Sequence, residues 1–220
     1  MDLLRRHEAL EMDVLDRLKR AGFLDRLIFG GGTMLRLCHD MPRYSADLDF
    51  WLLRATRTQT YFRRLKAFLG EAFELTDSHQ KFFTLLFEVR ARGYPRRLKL
   101  EIRHVRHGYD VEEKIAFSKY GTRQVLVKGL TLPQMMKNKV EALLDRREIR
   151  DAFDLEFLLR RGVELSAPPA QLLALERVIA RFRPQDYRVT LGSLLERETR
   201  TYYRDHRFSY LTERLHASLA

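Results

Sequence analysis

Two aspartates one residue apart, Asp47 and Asp49, close the stretch GGGTMLRLCHDMPRYSADLDF, which opens on Gly30, Gly31 and Gly32. In an extended strand side chains alternate between faces, so residues two apart point the same way. Asp47 and Asp49 then project side by side while Leu48 and Phe50 turn to a core. Carboxylates this close repel unless something positive lies between them. Mg²⁺ suits them, because it takes hard oxygen ligands and leaves room for water and phosphate. Two such ions can clamp the attacking and leaving oxygens of a phosphoryl transfer. Two carboxylates rarely suffice, and RRLKLEIR offers a third. There Leu98, Leu100 and Ile102 share one face, and Glu101 falls on the other. If that strand lies beside the aspartate strand, Glu101 completes the site.

At the other end of the stretch, Gly31 and Gly32 let backbone N–H groups approach a phosphate, and a helix N-terminus adds a favourable dipole. Thr33 suits the N-cap of that helix, with Met34 to Asp40 as its body and Pro42 beyond its end. No P-loop lysine follows the glycines. Arg43 could hold a phosphate or fix the loop by bonding backbone carbonyls. Ser45 has no indicated base to make it a nucleophile and reads as a turn hydroxyl. Together Gly31, Gly32, Thr33, Arg43 and Ser45 form the expected nucleotide-binding group.

The elements that must hold these residues follow from pattern. Leu3, Leu4, Leu10, Val14, Leu15 and Leu18 recur at helical spacing, and Gly22 marks a stop. RLIFGGG reads as a short strand running into a glycine turn, DLDFWLL as a strand, and TYFRRLKAFLGEAF as an amphipathic helix. KFFTLLFEV and RRLKLEIRHV read as antiparallel strands joined by a loop with Gly93 and Pro95, and RQVLVKG as a further short strand. After residue 130 the character changes. Thr131 caps the helix LPQMMKNKVEALLDRR, EIRDAFDLEFLLRRG is a second helix closed by Gly162, and SAPPA is a turn. From Gln171 onward only helices are expected, broken at Pro184 and near Asp205. The fold class is α+β: a small mixed sheet with flanking helices over residues 1–130, then a helical half over 131–220.

A formal charge of +11, from 41 Lys+Arg against 30 Asp+Glu in 220 residues, favours a polyanionic partner, with RNA or DNA first. Cys38 is the single cysteine, which excludes an internal disulfide and suits a reducing cytosol. Beside Leu35 and Leu37 it reads as a small buried apolar residue. No apolar run is long enough to span a membrane, and the first twenty residues lack the apolar core of a signal peptide. His104 and His107 lack Cys or acidic partners at zinc spacing. In the tail, arginines alternate with Tyr202, Tyr203, Phe208 and Tyr210. Arg200, Arg204 and Arg207 suit RNA phosphates, whereas the tyrosines suit a helical core. Lys139, read alone, is one basic residue on an amphipathic helix, and Asp151 and Asp154 could form local ion pairs beside Arg147 and Arg150.

The GGTMLRLCHDMPRYSADLDF block, with its ending Arg43-x-Ser45-x-Asp47-Leu48-Asp49-Phe50, resembles the first motif of the AbiEii/AbiGii toxin family within the polymerase-beta-type nucleotidyltransferases. MMKNKVEALLDRREIRDAFDLEFLL resembles the family's helical segment, with Lys139, Ala142, Leu143, Arg150, Asp151 and Asp154 at matching places. The resemblance covers roughly residues 20 to 160. It implies a nucleotidyltransferase fold, Mg²⁺, a nucleoside triphosphate (NTP) substrate and a toxin role in a toxin–antitoxin or phage-defence pair with a cognate antitoxin. Some members modify the acceptor end of tRNA. It further implies Asp47 and Asp49 as metal ligands, Lys139 (rather than Lys137) as the triphosphate contact, Asp154 as its orienting partner, and Asp151 in support. The expectation is an enzyme that transfers a nucleoside monophosphate (NMP) to an RNA acceptor. The alternatives are a protein side chain as acceptor, or a silent module that binds nucleic acid or antitoxin.

Overall fold

The computed structural model describes residues 2–53, 55–94, 96–104 and 108–219, with the side chain of residue 2 left aside. Pro95 and His107 therefore lie outside the described residues. The chain divides into two compact units, Met1–Leu130 and Thr131–Ala220.

The first unit is built on a seven-stranded sheet. Helix α1 (Asp2–Arg20) precedes strand β1 (Leu27–Gly30), helix α2 (Gly31–His39) and strand β2 (Asp47–Leu52). Helix α3 (Thr58–Ala72) leads to β3 (Glu74–Gln80), β4 (Thr84–Arg90), β5 (Leu98–His104), β6 (Val111–Phe117) and β7 (Gln124–Leu130). The strand order is β3-β4-β5-β2-β1-β7-β6. The β2–β5 and β1–β7 pairs are parallel, and the other four are antiparallel. One face carries the core: Leu48, Phe50, Leu85, Phe87, Val89, Leu98, Leu100 and Ile102 are buried. Their alternation with polar neighbours made β2, β4 and β5 legible.

The sheet is larger than expected. Neither β3 (ELTDSHQ) nor β6 (VEEKIAF) was anticipated, and these are the two edge strands. Strand β3 is polar and charged, as edge strands commonly are, and offers no apolar alternation; in β6 the run Glu112-Glu113-Lys114 interrupts it, and Val111, Ile115 and Phe117 face outward. Helix α2 also begins earlier than expected. Its N-cap is Gly30, so Thr33 lies inside the first turn. Thr33 is fully buried and its Oγ1 donates to the Asp47 carbonyl at 2.6 Å, tying α2 to the start of β2. The helix ends at His39 with Asp40 left-handed at φ 55°.

The second unit is helical: α4 (Leu132–Arg146), α5 (Ile149–Arg160), α6 (Pro169–Ile179), a π-helical turn (Asp186–Leu191), α7 (Arg197–His206) and α8 (Ser209–Leu219). Thr131 caps α4 by accepting the Gln134 N–H at 3.3 Å, with proline in the first turn. Gly162, at φ 80°, follows α5. No helix among the described residues is long and apolar enough to cross a membrane.

Candidate active site

The alternation of β2 leaves Asp47 and Asp49 half-buried on the polar face, with Leu48 and Phe50 in the core. Strand β5 lies beside β2 in parallel, with Asp49 opposite Glu101 and Asp47 opposite Lys99. Antiparallel β1 places Gly30 opposite Asp49 from the other side. Three carboxylates thus converge on one patch from two strands.

Two cations on the same face of β5 accompany them. Lys99 Nζ is 3.2 Å from Asp47 Oδ2 and 3.6 Å from Glu101 Oε2. Arg103 Nη2 is 2.9 Å from Glu101 Oε1 and 3.6 Å from Asp49 Oδ1. Burial alone would raise the Glu101 pKa, but Arg103 and Lys99 overcome it and hold the carboxyl below its ordinary value. Burial opposes the charge on Lys99 too, yet Asp47 and Glu101 raise its pKa. Arg103 also lies over the Trp51 ring, 5.6 Å from its centroid. Neither Lys99 nor Arg103 was named as a candidate from the sequence. The signal was present in LKLEIR, because the period-two rule that selects Glu101 also selects residues 99 and 103.

The glycines bring α2 hard against this patch. Gly31 has φ 72°, and a Cβ there would collide with the Asp49 carboxylate. A Cβ on Gly32 would meet the Arg43 guanidinium and lie 3.0 Å from Ser45 Oγ. Side chains of the loop and of β2 therefore fill the space above both glycines. Arg43 is 2% exposed and its Nη1 donates to the Tyr44 carbonyl at 2.8 Å. This is a bond to a backbone carbonyl, one of the two roles expected for it. Behind the patch, buried His7 on α1 hydrogen-bonds through Nε2 to the Ala46 carbonyl at 2.8 Å, and burial lowers its pKa. His7 carries no motif that sequence alone could flag. The Cys38 thiol is pushed up to about 12 by burial, which keeps it protonated and unreactive.

The carboxylates of Asp47, Asp49 and Glu101 are hard oxygen donors on adjacent strands, and this donor set fits a magnesium ion. Among the described residues no group of three or more His, Cys, Asp or Glu is already drawn together as a metal site. Lys99 and Arg103 lie against the same carboxylates.

In the second unit, Lys139 is buried while Lys137 is exposed, as their opposite positions on α4 require. Lys139 Nζ lies 2.6 Å from Asp154 Oδ2 and 3.1 Å from Asp151 Oδ1. The arginine that joins them is Arg146, 2.9 and 3.0 Å from the Asp151 oxygens, whereas Arg150 pairs with Glu148. A third buried carboxylate, Glu156, accepts from Tyr203 Oη at 3.0 Å, the Leu211 N–H at 3.1 Å and Arg160 Nη2 at 2.9 Å, linking α5, α7 and α8. Tyr203 and Phe208 are core residues. Arg200, Arg204 and Arg207 are exposed; Arg200 donates to the Leu195 carbonyl, Arg204 pairs with Asp205, and Arg207 lies over the Tyr187 ring.

This fold has known counterparts. The crystal structure of JHP933 from Helicobacter pylori superposes with a TM-score of 0.59 at 21% identity, covering 96% of this chain and 93% of that one. A structure described as a proposed nucleotidyltransferase from H. pylori superposes with a TM-score of 0.60 at 20% identity, covering 96% of each chain. No curated protein matches the chain. These likenesses establish the fold. The family profile described as nucleotidyl transferase AbiEii toxin, type IV toxin–antitoxin system, matches residues 13–216, and the chain belongs to that family.

Proposed function

We propose that the protein is an Mg²⁺-dependent enzyme that transfers an NMP from an NTP to the 3′ hydroxyl of an RNA, most simply a tRNA acceptor end. As the toxin of a cytoplasmic type IV pair it would be countered by a cognate antitoxin and could act in phage defence. The observation that carries the reading is the register that sets Asp49 opposite Glu101, with Asp47 one pleat away on the same face. The acceptor oxygen forms a bond to the α-phosphorus, the bond to the bridging β-phosphate oxygen breaks, and pyrophosphate leaves. The hydroxyl proton passes to a carboxylate of the patch. Mg²⁺ would be held by Asp47, Asp49 and Glu101, and when bound it supplies positive charge to the phosphate oxygens. Catalysis by this chain is then mainly positioning and electrostatics. The net charge of +11 supports a polyanionic acceptor, and exposed Arg200, Arg204 and Arg207 are proposed to help grip it.

The test is incubation with each α-³²P NTP, Mg²⁺ and total RNA, resolving RNA and protein on one gel. Label is expected in RNA and lost with Asp49→Asn, which keeps size and shape. Asp49 is paired at 3.6 Å on a partly exposed face, so the variant should stay folded, costing about 0–1 kcal/mol. Label confined to protein would reject RNA in favour of a protein acceptor. Label in neither would favour a binding module.

A further inference from the structure

Lys99, Glu101 and Arg103 stand on one face of β5, and they close a chain of contacts running Asp47–Lys99–Glu101–Arg103–Asp49. Three carboxylates are met by two cations, so the patch is nearly neutral as it stands. Both cations are reachable from solvent: Lys99 is 36% and Arg103 is 38% exposed. Lys99 carries its charge on a flexible stem. The planar Arg103 fork is steadied over Trp51, which is itself 7% exposed and packed against the Tyr109 ring.

A divalent cation on the carboxylates would compete with Lys99 and Arg103 for the same oxygens. Two positive side chains would then stand at the rim of the patch with their carboxylate partners taken. A triphosphate bound there offers the oxygens to replace them. Arginine matches phosphate bidentately, and lysine serves as a mobile point charge.

We propose that Lys99 and Arg103 are further phosphate-binding residues of the NTP site, and that the metal must displace them from the carboxylates with which they pair. This rests on the nucleotidyltransferase reading above. It has two consequences of opposite sign. Removing either cation relieves competition, so Mg²⁺ alone binds more tightly. The same change removes a phosphate contact, so the NTP binds more weakly. A merely structural ion pair would give the first effect without the second.

The experiment is calorimetric titration of the full-length protein with Mg²⁺ alone, then with each of the four NTPs in excess Mg²⁺. Wild type, Lys99→Met, Arg103→Met and the exposed control Lys66→Met are compared. The two site variants are expected to bind Mg²⁺ about 3–10-fold more tightly and the preferred NTP about tenfold or more weakly. Lys66→Met is expected to change neither. Melting in EDTA checks that all variants fold. Unchanged NTP affinity in both site variants, or weaker Mg²⁺ binding, would overturn the proposal. Asp49→Asn separates the two levels of the argument. If wild type binds Mg²⁺ and NTP, and Asp49→Asn abolishes the Mg²⁺ heat while Lys99→Met and Arg103→Met leave the NTP untouched, this inference alone fails. If wild type binds neither, or Asp49→Asn leaves Mg²⁺ binding intact, the site reading fails and takes the inference with it.

Discussion

Replacing Lys139 by methionine keeps most of the stem and deletes the charge. Lys139 is 7% exposed, and Asp151 and Asp154 are fully buried. The ammonium sits 2.6 Å from Asp154 and 3.1 Å from Asp151, so one cation serves two carboxylates. Arg146 still reaches both Asp151 oxygens in the variant, and Asp154 loses its 2.6 Å contact with the ammonium. Removing one partner of a buried ion pair costs about 3–5 kcal/mol, because a buried charge loses its compensation. For a unit of this size 1 kcal/mol corresponds to roughly 4–8 °C, so the melting temperature should fall by at least about 12 °C. Lys137→Met, on the exposed side of the same helix, should stay within about 0.5 kcal/mol. Urea unfolding followed by far-UV circular dichroism reads the helices. Fluorescence of Trp51, the single tryptophan, reads the sheet unit separately. Adding Asp154→Asn to Lys139→Met should recover more than about 1 kcal/mol, since it removes the buried carboxylate charge that Lys139 faced. A loss below about 1 kcal/mol in Lys139→Met would refute the reasoning, because the pair would then be no better than a surface one. The size of this effect matters for function as well. Any fall in NTP use by a Lys139 variant has to be measured well below its lowered melting point.

Two further outcomes follow from the site. Gly31→Ala places a Cβ at φ 72° against the Asp49 carboxylate, while Gly93→Ala meets the same backbone strain at φ 87° in open space. The first should cost at least about 1 kcal/mol more than the second and should impair transfer, and equal costs in urea would show that Asp49 yields freely. His7 is buried and its pKa lies below its ordinary value of 6.5. As pH falls below about 6.5 the unfolded chain takes up the proton first, so the stability held above that pH is lost. Glu11, 3.7 Å from His7 Nε2, has its pKa raised by burial and works in the opposite sense, with stability lost as pH rises. The contribution of His7 is therefore read as wild type minus His7→Asn. That difference should shrink between pH 8 and pH 5.5 in urea titrations, and growth toward acid would show the sign to be wrong.

What the sequence determined by itself is what short-range pattern can hold. The alternation of DLDF and LKLEIR dictated strands with their carboxylates on the polar face. Thr131 with its early proline, and Gly162 at a positive φ, set the limits of α4 and α5. The two family motifs were likewise visible in linear order. Only tertiary structure decided what stands beside what. The parallel pairing that puts Glu101 opposite Asp49 joins residues some fifty positions apart, and neither strand states its neighbour. The space over the glycines is filled by the Asp49 and Arg43 side chains, a contact that no glycine motif encodes. The edge strands β3 and β6 are held by pairing with β4 and β7 rather than by an alternation that buries one apolar face. The buried contact of His7 with the Ala46 carbonyl has the same origin, because a helix residue meets a distant loop only after the chain has folded. The physical division is one of range: propensity and periodicity act within a few residues, whereas register, burial and charge compensation exist only once distant segments share a surface.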